Sequence, residues 1–407
     1  MDQPTPRRDR TANAYPRGLV ALSLNHAAND MYMGFLPALL PLIVQRLDLS
    51  LTRAGLLVSI VSLTSQVTQP VFGYLSDRVG RRDLVIAGPL VTALSMAWLG
   101  RLGRYDLLAI AVICGGIGTA AFHPQGAALV GRIAGRRAGA AMAVFTAGGN
   151  LGYGIGPVLV IAVTDRFGVE NSWLTLPLGL AATGFLIAAL PRSVGTHRTA
   201  PHAAGGPDGR RWLAPLVVLF CVVMLRAVAV TLFTTFAPLL IARRGEALML
   251  GGWTLLGFLL AGGVGGIVGG PLSDRYGRRS VTVVGMLLAG PALFLFLHSG
   301  GVLAAAMLLA TGFCIFSALP VNIVMAQELL PGRASTASGI VMGLAWGIGG
   351  LSTTGLGVIA DRLSATMGPL AGLERAMDII ALVPLAAALL ALALPETRPR
   401  PGEAGVR

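Results

Sequence analysis

The sequence contains no lysine, so all 31 of its basic residues are arginines. Charged residues make up only 12% of the 407 residues, about half the share found in an ordinary soluble domain. A phosphate-binding G-x-x-x-x-G-K-[ST] loop needs a lysine, so nucleotide hydrolysis of the P-loop type is not expected. Together with a mean hydropathy of +0.74, the scarcity of charge indicates that water is not the main solvent of this chain.

Cysteine is almost as rare, since Cys114, Cys221 and Cys314 are the only ones and all lie in apolar stretches. No Cys/His spacing indicates a disulfide framework or a metal site, and we expect neither a metal nor a cofactor. The net charge of +13 could indicate a nucleic-acid partner, but the arginines lie between apolar runs rather than on one soluble face. We therefore expect a lipid bilayer around the chain, and no nucleic acid.

Apolar runs of about 20 residues, the length that crosses a bilayer, recur along the whole chain. We place the spans of the first set near 18–44, 53–76, 83–100, 106–131, 138–163 and 172–190, and those of the second near 213–241, 248–273, 280–298, 302–328, 335–360 and 376–394. Residues 191–212 are rich in Gly, Pro, His and Arg, the composition of a solvated linker. The sequence thus predicts an all-α membrane protein with six-helix domains at 1–190 and 213–407.

Arginine positions predict the orientation, because cytoplasmic loops retain positive charge. The two tails and the loops on their side hold 21 arginines, against 9 on the other side. Both termini and the linker should therefore be cytoplasmic. The first apolar stretch is too long, and too polar in its middle, for a cleavable signal, so we interpret it as a retained span.

Two ten-residue segments, G-Y-L-S-D-R-V-G-R-R at 73–82 and G-P-L-S-D-R-Y-G-R-R at 270–279, lie 197 residues apart. Each closes the second span of its set, so the two sets are parallel repeats. The alternative is that each segment is only a positively charged cytoplasmic turn made of Gly and Arg, but two aligned copies of one ten-residue pattern are hard to obtain by chance. The pattern resembles G-x-L-x-D-R-x-G-R-R, the hallmark of the major facilitator superfamily. That resemblance implies a twelve-helix transporter in which two six-helix domains rock around a central cavity.

The charged residues of both segments can form charge-assisted bonds that hold one rocked state. The candidate gating residues are Asp77, Arg78, Arg81, Arg82, Asp274, Arg275, Arg278 and Arg279.

Polar groups interrupt the first span at His26, Asn29 and Asp30. His26 and Asp30 are four residues apart and share one helix face, and Asp30 should lie near the middle of the membrane. An ionisable group at that depth is by default a functional candidate, here for proton coupling or substrate binding. The alternative is a structural carboxylate bonded to helix N–H groups or to an arginine.

A shift of Asp30 by the repeat offset of 197 residues ends at Ala227, beside Arg226. The first helix of each half therefore carries an ionisable group at nearly the same depth. Arg226 cannot act as a proton carrier, but it can hold an anionic substrate or pair with Asp30. Such a bridge could be permanent, or it could form and break during a transport cycle.

Further polar candidates lie in the fourth, fifth and eleventh spans. His123 stands before a helix-disrupting proline and Gln125, and histidine is suited to relaying protons at neutral pH. Asn150 lies in a glycine-rich run, and Trp346 could stack on a bound ligand. The substrate-binding candidates are Arg226, Asn29, His123, Gln125, Asn150 and Trp346, and those for proton coupling are Asp30, His26 and His123.

The His26–Pro41 segment, F-H-P at 122–124 and G-G-N-L-G-Y-G-I-G-P at 148–157 resemble the fosmidomycin-resistance branch of the superfamily. Leu225-Arg226 and the segment from Leu330 to Gly339 add to that resemblance. It implies a proton-driven drug exporter in the inner membrane. The glycine run also resembles the antiporter signature G-x-x-x-G-P, although the usual Gly-Gly pair after it is absent.

We therefore predict a monomeric secondary transporter that exports small organic compounds by alternating access in exchange for protons. One alternative is a proton-coupled importer of a small organic anion in the same fold. A more distant one is a receptor that binds its ligand without moving it. We do not expect an enzyme, because no span gathers a nucleophile, metal ligands or paired carboxylates.

Overall fold

The computed structural model of the chain describes residues 14–69, 71–72, 81–134, 138–190, 212–330 and 343–397, in which all regular structure is helical. The helices of the N-terminal half are α1 (Ala14–Met33), α2 (Phe35–Leu47), α3 (Leu51–Ser62), α4 (Arg81–Met96), α5 (Tyr105–Ala134), α6 (Ala138–Phe167) and α7 (Leu176–Ala189). Gly34 joins α1 and α2 into one rod, since its N–H donates to the Asp30 carbonyl oxygen at 3.0 Å. A π-helical turn, Leu63–Val67, extends α3.

The C-terminal half repeats this order with α8 (Leu213–Arg243), α9 (Leu248–Tyr276), α10 (Arg278–His298), α11 (Gly301–Leu329), α12 (Ala345–Met367) and α13 (Pro369–Ala391). The α1–α2 rod and the other eleven helices form the predicted twelve-helix bundle of two six-helix repeats. Eight of these helices are long and apolar enough to cross a membrane, and α3 with its π turn is a shorter apolar helix.

Helix boundaries follow local chemistry more closely than hydropathy. The last helix begins at Pro369 rather than near the predicted 376, because Gly368 adopts a φ of 89° and proline suits the first turn. The apolar run begins later than the helix, because Glu374 and Arg375 lie in the first turns of α13. The start of α3 also has a local cause, because the Ser50 side chain caps this helix by accepting from the Arg53 N–H at 3.2 Å.

Consecutive helices alternate in direction, which gives the bundle two ends. We call the end where α1 begins and α13 ends the terminal end, and the other the distal end. The predicted linker, 191–212, lies outside the described residues except for Trp212. So does most of the first hallmark segment, including Asp77 and Arg78.

The two halves meet along α3 and α12, α6 and α9, and α2 and α8. On α3, Ser59 donates to the Gly350 carbonyl oxygen at 2.9 Å, and Thr353 donates to the Gly55 carbonyl oxygen at 2.8 Å. At the distal tip, Asp361 of α12 accepts hydrogen bonds from Leu51 and Thr52 of α3. These contacts join the halves over the distal part of their interface.

Candidate functional site

Asp30 lies in a cluster with two histidines and an amide, as its helical spacing predicts. On α1, His26 Nε2 lies 3.2 Å from Asp30 Oδ2. From α5, His123 Nε2 lies 2.9 Å from Asp30 Oδ1. Asn29 Nδ2 donates to the same oxygen at 3.0 Å. The Asp30 side chain is 17% exposed and that of His123 25% exposed, so the cluster is recessed but open to solvent.

The contacts of His26 determine where protons must lie. Its Nδ1 is 2.7 Å from the Phe145 carbonyl oxygen, which can only accept, so Nδ1 carries a hydrogen. The contact of Nε2 with Asp30 then needs a second proton, either on the ring or on the carboxyl group. The His26–Asp30 pair is therefore neutral as a unit. If its proton left, two electron-rich atoms would face each other across 3.2 Å.

His123 completes the cluster without requiring a further charge. A neutral imidazole with its hydrogen on Nε2 satisfies the bond to Asp30 Oδ1. One turn earlier on α5, Thr119 lies 3.3 Å from the Asn29 amide nitrogen. Pro124 follows His123 inside α5, which continues past it to Ala134. The two polar interruptions in the sequence thus belong to one site.

The nitrogens of the two histidines and a carboxylate oxygen lie within 4.8 Å of one another, a spacing that would also admit a small cation. Each carboxylate oxygen already has an imidazole partner at hydrogen-bond distance. A shared proton is the simplest occupant of that geometry, and we make no metal assignment.

Helix α6 contributes three residues that the sequence did not identify as site residues. The Phe145 ring stacks on His26 with centroids 4.1 Å apart, and its carbonyl oxygen accepts the Nδ1 hydrogen. Gly149 faces both His26 and Asp30. Tyr153 lies near Asp30 and near Thr234 of α8. In the sequence, Tyr153 could have been recognised as a candidate because it is a polar aromatic residue inside a glycine-rich apolar helix.

Arg226 is isolated in the C-terminal half. It is 1% exposed, and within the described part of the chain its three guanidinium nitrogens have no hydrogen-bond partner. The guanidinium carbon lies 5.5 Å from the centre of the Trp346 ring, at the start of α12. The structure thus brings together two of the predicted substrate-binding residues. The bridge from Arg226 to Asp30 that the sequence left open does not form in this state.

Two other substrate-binding candidates have different surroundings. Gln125 is buried, and its amide donates to the Phe72 carbonyl oxygen at 3.1 Å, which ties α5 to the end of the second span. Asn150 is exposed on α6, beside Gly149 but on another face of the helix. Neither side chain contacts the Asp30 cluster.

The second hallmark segment forms a charge network within the C-terminal half. Arg278 is buried and donates to both oxygens of Glu328, at 2.9 and 3.1 Å, and to Asp274 at 3.0 Å. Glu396 accepts from the backbone N–H groups of Arg278 and Arg279. The network fastens α10 to α9, α11 and the end of the chain. All these partners belong to one half.

The other predicted gating residues are more peripheral or are not described. The Arg275 guanidinium lies over the Tyr276 ring at 5.2 Å. In the N-terminal half, Arg82 donates to the carbonyl oxygens of Leu190 and Ile187 at the end of α7. Asp77 and Arg78 fall outside the described residues, as does the side chain of Arg81.

A bundle of two six-helix repeats, with an ionisable side chain inside the first helix of each repeat, defines a polytopic membrane transporter. The family model of the Major Facilitator Superfamily matches residues 21–354, and the chain belongs to that family. It is similar to the fosmidomycin resistance protein of Escherichia coli (strain K12), with 30% identity over 392 residues that span 93% of each chain.

Another relative is the uncharacterized MFS-type transporter YfnC of Bacillus subtilis (strain 168), 28% identical over 390 residues that cover 93% of this chain and 92% of YfnC. Among solved structures, a bacterial homolog of the human lysosomal transporter Spinster, described as inward-facing and unoccupied, superposes with a TM-score of 0.76. That match covers 95% of this chain and 99% of the homolog at 16% identity, and it supports the fold alone.

Proposed function

We propose that this transporter couples the export of small organic compounds to proton entry, and that the His26–Asp30 pair carries the coupled proton. The observation behind the proposal is the bonding of His26, whose Nδ1–H is held by the Phe145 carbonyl group while Nε2 faces Asp30. This geometry exists only with one proton in the pair. Loss of that proton replaces the attraction between His26 Nε2 and Asp30 Oδ2 with a repulsion, inside the N-terminal half.

The contacts between the halves support alternating access. The distal bonds of Asp361 and Ser59 close one side, while Asp30 and His123 remain partly exposed. With the terminal end in the cytoplasm, the described arrangement faces inward. The domains 1–190 and 213–407 rock about this interface in the inner membrane, and the hallmark charges hold the terminal end in the alternate state.

The cargo site extends from the Asp30 cluster to Arg226 and Trp346. His123 is partly exposed and offers a polar contact, and Trp346 offers an aromatic face for a planar or apolar group. Asn29 is fully buried and bonds to Asp30 and Thr119, so it would reach cargo only through a rearrangement of the cluster. Similarity to a fosmidomycin resistance protein over nearly the whole chain favours a drug-like compound as cargo. The chain would act as a monomer, since each copy contains both halves of the site.

A two-stage experiment tests the proposal. Cells that express the protein are first screened for growth against toxic compounds, and each hit is then followed in proteoliposomes under an imposed pH gradient. Asp30→Asn should abolish proton-driven transport, because an amide cannot bind and release a proton in this range. Asp106→Asn, which changes an exposed carboxylate paired with Arg104, serves as the matched control. Full proton-driven transport by Asp30→Asn would refute the assignment.

Import of a small organic anion is the second candidate, and the Arg226 guanidinium favours it, because it has no hydrogen-bond partner among the described residues. A buried charge without a counter-charge is unfavourable, and an anionic cargo would supply one. In that case proton and cargo would enter together. Accumulation of an anion inside vesicles on an inward proton gradient, lost in Arg226→Gln, would support import over export.

A further inference from the structure

Helix α6 touches the proton-binding pair at two points one turn apart. The Phe145 carbonyl oxygen accepts the His26 Nδ1 hydrogen at 2.7 Å, and the Phe145 ring stacks on the imidazole at 27°. The neighbouring backbone at Gly149 lies against the other edge of the same imidazole. The His26 ring is thereby fixed in both orientation and tautomer by a helix that carries no ionisable member of the pair.

Gly149 occupies a place where no side chain fits. A Cβ atom added there would lie 2.5 Å from His26 Nε2 and 2.7 Å from Asp30 Oδ2, well inside ordinary van der Waals contact. These are the two atoms between which the proton lies. The glycine therefore sets how closely α6 approaches the pair and leaves the space in which Nε2 and Oδ2 meet.

The same helix is attached to the other half of the transporter. Beyond Gly149, the Tyr153 side chain lies near Thr234 of α8, and Gly154 packs against Leu256 of α9. A displacement of the C-terminal half would thus act on α6 directly. Among the described residues, the titratable groups that face the pair are His123 from α5 and Tyr153 from α6, and Arg226 of α8 does not bond to it.

We propose that Gly149 and the Phe145 carbonyl group are positioning residues that fix His26 as the Nδ1–H tautomer and hold its Nε2 against Asp30. Rocking of the C-terminal half, passed on through α6, would then loosen or tighten the hold on the proton. The inference rests on the proposed role of the pair in proton coupling. It adds that the proton affinity of the His26–Asp30 pair is set by Phe145 and Gly149 of α6, neither of which has an ionisable side chain.

Nitrogen-15 NMR of histidine-labelled, full-length protein in lipid nanodiscs tests this directly. The chain has only five histidines, and the His26 signals are assigned by their loss in His26→Gln. The variants are Gly149→Ala and, as a matched control, Gly152→Ala. A Cβ at Gly152 would clash with the Ala27 backbone of α1, and its three nearest atoms all belong to Ala27 rather than to the pair. Both changes push α6 away from α1, but only Gly149→Ala also places an atom against His26 Nε2 and Asp30 Oδ2, so its effect on the pair should be the larger.

In the wild type, we expect His26 to keep its Nδ1 hydrogen across the titration while Nε2 alone responds to pH. At a pH where the wild-type ring gives the imidazolium signature, Gly149→Ala should give the neutral one, with a titration midpoint displaced by about one pH unit, tenfold in proton affinity. Gly152→Ala should displace the His26 titration midpoint by clearly less than Gly149→Ala does, even with lower yield or thermal stability.

A wild-type His26 titration in Gly149→Ala would overturn the positioning role, as would an equal displacement in Gly152→Ala. Neither result depends on transport. Failure of the proton-coupling proposal shows up separately, as proton-driven transport retained in Asp30→Asn. The two proposals therefore fail in different experiments.

Discussion

Asp361 forms a latch between the two halves at the distal end of the bundle. Its carboxylate accepts from the Leu51 N–H at 2.9 Å, the Thr52 N–H at 2.8 Å and the Thr52 hydroxyl at 2.6 Å. The two N–H groups belong to the first turn of α3, where they have no partner within the helix. The positive end of the α3 dipole adds to the attraction. All three bonds must break when the distal end opens.

The Asp361→Asn substitution keeps the size of the side chain and removes its charge. A hydrogen bond to a charged group contributes about 1.5–3 kcal/mol, but the amide retains one acceptor and the site is partly exposed, so we expect a loss of about 2 kcal/mol. Since 1.4 kcal/mol is a factor of ten, the ratio of distally closed to distally open molecules should fall about 30-fold.

Distances between spin labels measure this ratio. Gln45→Cys and Ala365→Cys place labels at exposed positions on α2 and α12, in a protein whose three native cysteines have been replaced by serine. Asp361→Asn should raise the population at long distance, whereas Asp165→Asn, at an exposed carboxylate near the distal end of α6, should leave it as in the parent. An unchanged distance distribution in Asp361→Asn would show that the latch does not hold the closed state.

Two further predictions concern stability. Arg226→Met should raise the melting temperature of the empty protein in detergent, because it removes a buried charge that has no hydrogen-bond partner among the described residues. A lower melting temperature would mean that Arg226 has a partner in the empty state. Glu328→Gln should lower unfolding stability by about 2 kcal/mol, because it breaks the buried pair with Arg278. Glu374→Gln, in the more exposed pair with Arg244, should cost at most about 1 kcal/mol, so equal losses in the two variants would refute the argument.

Features that follow from span length, from the internal repeat or from helical spacing could be predicted from the sequence. Apolar runs of span length predicted the twelve helices, the 197-residue repeat grouped them into two parallel sets, and the spacing of His26 and Asp30 placed both on one face of α1. The polar break at His123 suggested a second helix at the site, and the structure joins it to the first at 2.9 Å. Each of these predictions needs only helical geometry and the length of a membrane span.

Contacts that depend on how helices are rotated about their axes were not predictable. The repeat offset places Arg226 and Asp30 at matching depth, but depth does not determine whether two side chains point at each other. In the structure Arg226 turns to Trp346, while Asp30 turns to the histidines of its own half. The bond from His26 to the Phe145 carbonyl oxygen was hidden for a related reason, since every residue offers a carbonyl group and only packing selects one.

The sign of coupling depends on which of these two central groups the cargo uses. A cargo that bonds to Asp30 competes with the proton, so each weakens binding of the other, and the transporter exchanges them across the membrane. An anionic cargo on Arg226 does not displace the proton. The group that competes with this cargo for Arg226 is Asp30, which can act as a counter-charge only after the His26–Asp30 pair has lost its proton. Binding free energies are reciprocal, so such a cargo would tighten proton binding and travel with the proton. Export and import in this fold thus differ by whether cargo binding to purified protein releases protons or takes them up.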